Sequence, residues 1–231
     1  MLPPVRQLFP IPADDVDVEA VYAGDDRPGR RWVLVNMIST VDGATAIAGR
    51  SGGLGGPADK RVFAAIRSLA DVILVGAGTV RAENYGPPQT DTRLAIVSAR
   101  LELPPDSRVF AGGFRPTVLT TGRADPAQRA ALAEVADIVI AGDDDRVDLG
   151  LAVGTLSGVV VCEGGPSLNG QLIALDLVDE LCLTFSPLLA TGTSARVAHG
   201  PDIDPPRPLR LGRVLEEDGL LFLRYVRNAT K

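Results

Sequence analysis

The sequence predicts an α/β fold: a mixed, mostly parallel sheet with helices on both faces and a C-terminal antiparallel hairpin. Three observations predict it. Short β-branched apolar runs alternate with stretches of helical spacing, as in chains that build parallel sheets. Glycine-rich turns follow several of the apolar runs, at strand ends where open α/β sheets place ligands. Asp218-Gly219 separates two strand-patterned runs near the end of the chain, a hairpin signal. The chain has 231 residues, 45% of them hydrophobic and 23% charged. That suits one globular core, divided here into an N-terminal arm, 1–31, and a main domain, 32–231.

The arm holds Pro3, Pro4, Pro10 and Pro12, a run of acidic residues, and the turn sequence from Gly24 to Gly29. It reads as irregular, with one short helix over Val16 to Tyr22. Trp32 to Ile38 is the first core strand, closed by the polar turn Ser39-Thr40-Val41-Asp42-Gly43. Residues 44–56 carry Gly49, Gly52, Gly53, Gly55 and Gly56. They form either a loop that approaches a ligand closely or a flexible surface linker. Pro57-Ala58-Asp59 opens a helix to Ala70, with Val62, Phe63, Ile66 and Leu69 on one face. Asp71 to Val75 is a strand, followed by the turn Gly76-Ala77-Gly78-Thr79 and a helical turn over Val80 to Glu83.

Asn84 to Gln89 is a Pro/Gly loop. Leu94 to Val97 is the next strand, ending in Ser98-Ala99-Arg100; the hydroxyl and the guanidinium either hold a phosphate or cap the strand and meet solvent. Thr117 to Thr121 and Asp137 to Ala141 are strands around a helix from Pro126 to Val135, with Asp125 as its N-cap. Leu149 to Leu156 is helical. After a long loop containing His199, Arg210 to Leu215 and Leu220 to Val226 form the hairpin, preceded by a strand over Glu180 to Ser186.

The stretch Val160 to Leu168 organises the rest. Its apolar start is a covered strand, Gly164 and Gly165 allow a sharp turn, and Pro166 suits the first helical position. The backbone amides that follow are unpaired, and a helix start of this kind attracts anions. Glu163 sets a carboxylate beside them, where it either acts on a ligand or orients the turn.

Other classes are excluded. Net charge is −6, and Lys60 and Lys231 are the two lysines, so no basic footprint for nucleic acid exists. No apolar run is long enough to span a membrane. The N-terminus lacks the order of a signal peptide, and a cytoplasmic location is expected. Cys162 and Cys182 fall in strands and read as small buried hydrophobes. With a single histidine, no metal site is expected.

With these turns placed, the chain resembles the pyrimidine reductases of riboflavin biosynthesis, which are also the C-terminal half of the bifunctional deaminase-reductase. The resemblance covers residues 32–228. It rests on four landmarks in order: Ser39 to Gly43, Gly76 to Val80 with Glu83, Ser98, and Glu163 to Leu168. The run Leu177 to Pro187 adds to them. It implies a dihydrofolate-reductase-like fold and, for 32–231, an NADPH-dependent reductase that converts the ribosyl group of a ribosylaminopyrimidinone 5′-phosphate to ribityl. Matched residue by residue, the cofactor would contact Ile38, Gly53, Gly76, Gly78, Thr79, Glu83, Ser98, Gly164, Gly165, Pro166, Ser167 and Leu168. The substrate would meet Ser51, Arg67 and Glu163. Glu163 and Asp42 are the candidate catalytic carboxylates, with Glu83 as a third, stabilising an iminium-like C1′ or relaying a proton.

The chain departs from the family in three places. The 52–56 loop lacks an aromatic residue, Glu83 stands where Asp is common, and no arginine after Glu83 is placed to hold the substrate phosphate. A deaminase signature is absent, so this chain is expected not to deaminate. Relatives of this fold are commonly homodimers, and a homodimer through the apolar 181–189 segment is expected. Two other functions share the fold: reduction of dihydrofolate or another pteridine, and cofactor binding without catalysis.

Overall fold

The computed structural model describes residues 4–27, 29–89 and 91–228. Pro3 and Pro28 of the expected arm, and the last three residues of the expected main domain, lie outside them. The elements run β1 Arg6–Phe9, α1 Val18–Ala23, β2 Trp32–Thr40, α2 Pro57–Ser68, β3 Val72–Gly76, α3 Ala77–Ala82, β4 Arg93–Val97, β5 Thr117–Thr120, α4 Pro126–Ala133, β6 Asp137–Ile140, α5 Leu149–Gly154, β7 Val159–Cys162, α6 Pro166–Ala174, β8 Glu180–Ser186, β9 Leu209–Glu217 and β10 Leu220–Arg227. They form one ten-stranded sheet in the order β1-β9-β10-β8-β2-β7-β3-β4-β5-β6. From β8 to β6 every pairing is parallel. β10 runs antiparallel to β8, β9 to β10 and β1 to β9.

The central strands carry apolar side chains on both faces because helices cover both. On one face Val33, Val35, Leu74 and Val160 pack against Leu149 and Val153 of α5 and Leu168 and Leu172 of α6. On the other, Leu34, Cys182 and Phe222 meet α1 and α2 through Tyr22, Ala58, Val62 and Ile66. Further along, Ile73, Leu94 and Ile96 are covered by Val80, Phe110 and Leu132. Cys162 and Cys182 are free and buried in these layers, and burial pushes the Cys162 thiol up to about 12. The hairpin turn has positive φ at Asp218 and Gly219, the geometry that joins two twisted antiparallel strands most directly.

The N-terminal residues were expected to be irregular apart from one helix. They also supply β1, which extends the sheet edge beside β9. Val5, Val18 and Tyr22 are buried in the same layer as α2. Charge ties this segment down as well. Asp25 meets Arg213 and Arg224, and Glu180 meets Arg224 and Arg27 while accepting from the indole of Trp32 at 2.8 Å.

The 181–189 segment forms β8 and the turn after it. Both β8 edges are paired, to β2 and β10. Leu181, Leu183 and Phe185 are half-buried and oppose Tyr225, Leu223 and Leu221, a row that continues across β9 to Val214 and Leu211.

Candidate active site

A cleft of about 970 Å³ opens over the carboxyl ends of β2, β7, β3 and β4. Its walls are the start of α3, which follows β3 directly at Ala77 where a turn over Gly76–Thr79 was expected, the turn after β7, the glycine loop before α2, and the inner face of α2. The start of α3 and the turn after β7 abut. The Gly76 N–H donates to the Gly164 carbonyl at 2.7 Å. Gly164 has φ of +81°, and a Cβ there would lie 3.0 Å from the Met37 sulfur. A Cβ on Gly165 would lie 2.9 Å from Thr79 Oγ1. Only glycine allows both the left-handed turn and this approach. The turn leads straight into α6, whose N-cap is Gly165 and whose first residue is Pro166, with no side chain capping the amides.

Glu163 follows β7 and reaches the cleft with a 6% exposed side chain. Its oxygens are held by Arg67 of α2, Nε to Oε1 at 2.7 Å and Nη2 to Oε2 at 2.8 Å. The Tyr85 hydroxyl also donates to Oε2, and itself accepts from Arg67 Nη2. The guanidinium lies 4.5 Å from the Phe63 ring centroid and 5.4 Å from that of Tyr85. Burial, then the nearby Glu163 charge, pushes the Tyr85 hydroxyl far above its ordinary value, so it stays a proton donor to the carboxylate. Bidentate pairing and two stacked rings leave this carboxylate one orientation.

Of the residues expected in the site, Ile38, Ser51, Gly76, Gly78, Thr79, Glu83, Ser98, Glu163, Gly165, Pro166, Ser167 and Leu168 line the cleft. Glu83 accepts the Ser51 N–H at 2.8 Å and so pins the glycine loop to the end of α3. Gly164 and Arg67 stand directly behind the wall, one under the turn and the other behind Glu163.

Gly53 and Asp42 are not brought to the cleft wall. Gly53 is exposed on the outside of its loop. Asp42 is exposed too, and it accepts from the Thr40 hydroxyl and from the amides of Ala190 and Thr191. The Thr40 bond, followed by those amides, holds its carboxyl below the ordinary value. Its position after β2 suits the loop it fastens, because the chain returns past it at 190–191.

The sequence does not single out Tyr85, Phe63, Asn36 or Asp59 as wall residues. Tyr85 sits in a Pro/Gly loop, and nothing local connects it to Glu163. Phe63 was read as a core position; the signal was Arg67 four residues on, on the same helix face. Asn36 interrupts an apolar strand, and a polar side chain inside a covered strand is a signal for a lined cavity. Asp59 was read only as part of a helix start. At the far end of the cleft, Ser98 is joined by Arg100 and Arg146. Among the described residues no cluster of groups suited to a metal ion occurs, and no helix is long and apolar enough to cross a membrane.

The same architecture occurs in solved reductases. A pyrimidine reductase-like protein from Corynebacterium diphtheriae superposes with a TM-score of 0.80 over 93% of this chain and 100% of its own, at 24% identity. The Thermotoga maritima diaminohydroxyphosphoribosylaminopyrimidine deaminase/5-amino-6-(5-phosphoribosylamino)uracil reductase gives 0.64, covering 86% of this chain and 57% of its own at 22% identity. Dihydrofolate reductase from Enterococcus faecalis gives 0.52 over 86% of this chain and 97% of its own at 14% identity. The sheet order and the cleft at its strand ends are those of the dihydrofolate-reductase-like fold. Residues 31–212 match the model of the RibD C-terminal domain, and the chain belongs to that family. A curated relative, the 2,5-diamino-6-ribosylamino-4(3H)-pyrimidinone 5′-phosphate reductase of Methanothermobacter thermautotrophicus, is 32% identical over 76% of this chain and 87% of its own length.

Proposed function

We propose that the protein reduces the ribosyl group of a ribosylaminopyrimidinone 5′-phosphate to ribityl, with NADPH as the reductant. The observation that carries this is the meeting of the starts of α3 and α6, through Gly76 and the Gly164-Gly165 turn, beside the fixed Glu163 carboxylate. This junction fits a dinucleotide: glycines keep Cβ atoms out of its path, and the uncapped amides at the start of α6 suit its phosphates. Ser98, Arg100 and Arg146 supply the hydroxyl and guanidinium donors that a 2′-phosphate needs, which favours NADPH over NADH. NADPH supplies a hydride when bound.

Glu163 then sets a negative charge near an iminium-like C1′, and Arg67 and Tyr85 hold it still. Catalysis of this kind is positioning and preorganised charge. Asp42 acts at a distance, by fastening the 190–191 loop. The uncovered row on β8, β10 and β9 supports a homodimer through that face, where a second copy would cover apolar side chains now half-exposed. Two free thiols and no disulfide suit the cytoplasm.

The test is loss of NADPH absorbance with purified protein. Oxidation is expected with the ribosylaminopyrimidinone phosphate and NADPH, with NADH a poor substitute. Oxidation with dihydrofolate alone would replace the substrate, and cofactor binding with no turnover of either would end the catalytic reading.

A further inference from the structure

The pyrimidine reduced in this chemistry exists in two forms. One carries an amino group at C2; the other, its deaminated counterpart, carries a carbonyl there. We propose that Asp59 reads this edge of the ring and makes the protein selective for the 2-amino form. This rests on the reductase reading above and adds to it the choice of substrate.

Five carboxylates line the cleft: Asp59, Glu83, Glu102, Asp145 and Glu163. Four already have a guanidinium or amide donor among the described residues. Glu163 is held by Arg67 and Tyr85, Glu83 by the Ser51 amide, Glu102 by Arg100, and Asp145 by Arg123. Asp59 has only the Thr184 hydroxyl. No lysine or arginine pairs with it among the described residues. Burial raises its carboxyl above the ordinary value, and Thr184 offsets only part of that. A desolvated carboxylate with spare acceptor capacity is costly until a ligand supplies donors.

The surroundings suit a flat ring. Leu34 and Cys182 face α2 in the core, so Asn36 and Ile38 on β2, and Thr184 on β8, face it too. Ile38 and Thr184 are register partners. Asp59 and Phe63, one turn apart on α2, close the other side. The Asp59 carboxylate leans over Gly55, where any Cβ would displace it. A ring lying beside Phe63 would thus meet a carboxylate at its edge.

The 2-amino form presents two adjacent donors, the C2 amino group and N3–H. Two parallel N–H groups match two carboxylate oxygens. The deaminated form replaces one donor with a carbonyl oxygen, which would face the carboxylate lone pairs and leave it unpaired. Such a site rejects the wrong form by repulsion as well as by a lost bond.

The test compares kcat/KM for the two forms in the native enzyme and in Asp59→Asn. The native enzyme is expected to prefer the 2-amino form by about 10- to 100-fold. Asp59→Asn should lower kcat/KM for the 2-amino form, raise it for the 2-oxo form by relieving the repulsion, and so bring the two within about threefold of each other. The variant removes a desolvated charge and keeps the shape, so it should melt no lower than the native protein. Equal turnover of both forms by the native enzyme, or an equal loss on both in the variant, overturns the assignment and leaves the reductase reading intact. If neither form is reduced, the reductase reading fails instead. Calorimetry with the free rings, 2,5,6-triaminopyrimidin-4-one and 5,6-diaminouracil, then decides on Asp59. A preference for the triamino ring that Asp59→Asn abolishes upholds the assignment; no preference, or no binding, overturns it.

Discussion

Glu163 and Arg67 lie ninety-six residues apart in sequence and meet through two charge-assisted bonds, with Tyr85 bridging them. The guanidinium lies against the Phe63 and Tyr85 rings, 4.5 Å and 5.4 Å from their centroids, and its planar fork is what matches the carboxylate. Arg67→Met keeps the bulk and removes the fork. It leaves a nearly buried carboxylate with one neutral donor. We expect kcat/KM for the pyrimidine to fall about 100-fold, with NADPH affinity unchanged by titration, since the proposed function puts Arg67 on the substrate side. Arg67→Lys should rescue little, because an ammonium cannot make the bidentate pair. The sequence carried half of this. Glu163 was legible because it precedes a glycine turn at a strand end, and Arg67 only through the family resemblance. Tyr85 was not legible, since its role depends on where a loop returns in space.

At the scale of elements, the two strand–turn–helix units do most to shape the cleft. Each was readable locally: a β-branched run, glycines, then helical spacing. Their mutual contact was not. Gly164 needs its left-handed φ for the turn and its missing side chain for Met37. Gly164→Ala is therefore expected to cost about 1–3 kcal/mol in chemical denaturation and to weaken NADPH binding, whereas Gly53→Ala, exposed and with open space around it, should change neither. α2, α4 and α5 each stop two residues before the end that the spacing predicts, as at α2, which ends at Ser68 and not at Ala70. The last residues of such a stretch lack partners for their backbone groups, and the turn tightens.

For the whole molecule, the N-terminal segment and the closing hairpin are joined by buried charge. Burial pushes the Glu180 carboxyl up, but its bond to Arg224 and the charges of Arg224 and Arg27 outweigh that and hold it below the ordinary 4.5. A depressed carboxyl adds stability above its unfolded value and loses it as pH falls through the folded one. Glu180→Gln leaves the buried Arg27 and Arg224 with Asp25 alone, a carboxylate they already share with Arg213, and should cost about 3–5 kcal/mol at pH 7. The gap in melting temperature to the native protein should close as the pH drops below 4.5. The uncovered row on β8 and β10 belongs to this scale too. Leu223→Glu sets a charge at its centre, and light scattering should report a monomer for this variant and a dimer for the native protein if the proposed face is the interface. A native monomer would remove that assignment.

Periodicity, glycine placement and the Asp218-Gly219 turn determined the element order, the parallel core and the closing hairpin, because those follow from interactions between near neighbours in the chain. The family landmarks marked the two turns that build the cleft. Tertiary structure decided the rest. It drew the N-terminal segment into the sheet through β1, turned Asp42 away to hold a loop, and surrounded Glu163 with Arg67 and Tyr85. It also left Asp59 facing the cleft with a single hydroxyl partner. Each of these depends on which distant segments pack together, and a side chain's chemistry is set by the groups that packing brings to it and by the water it removes.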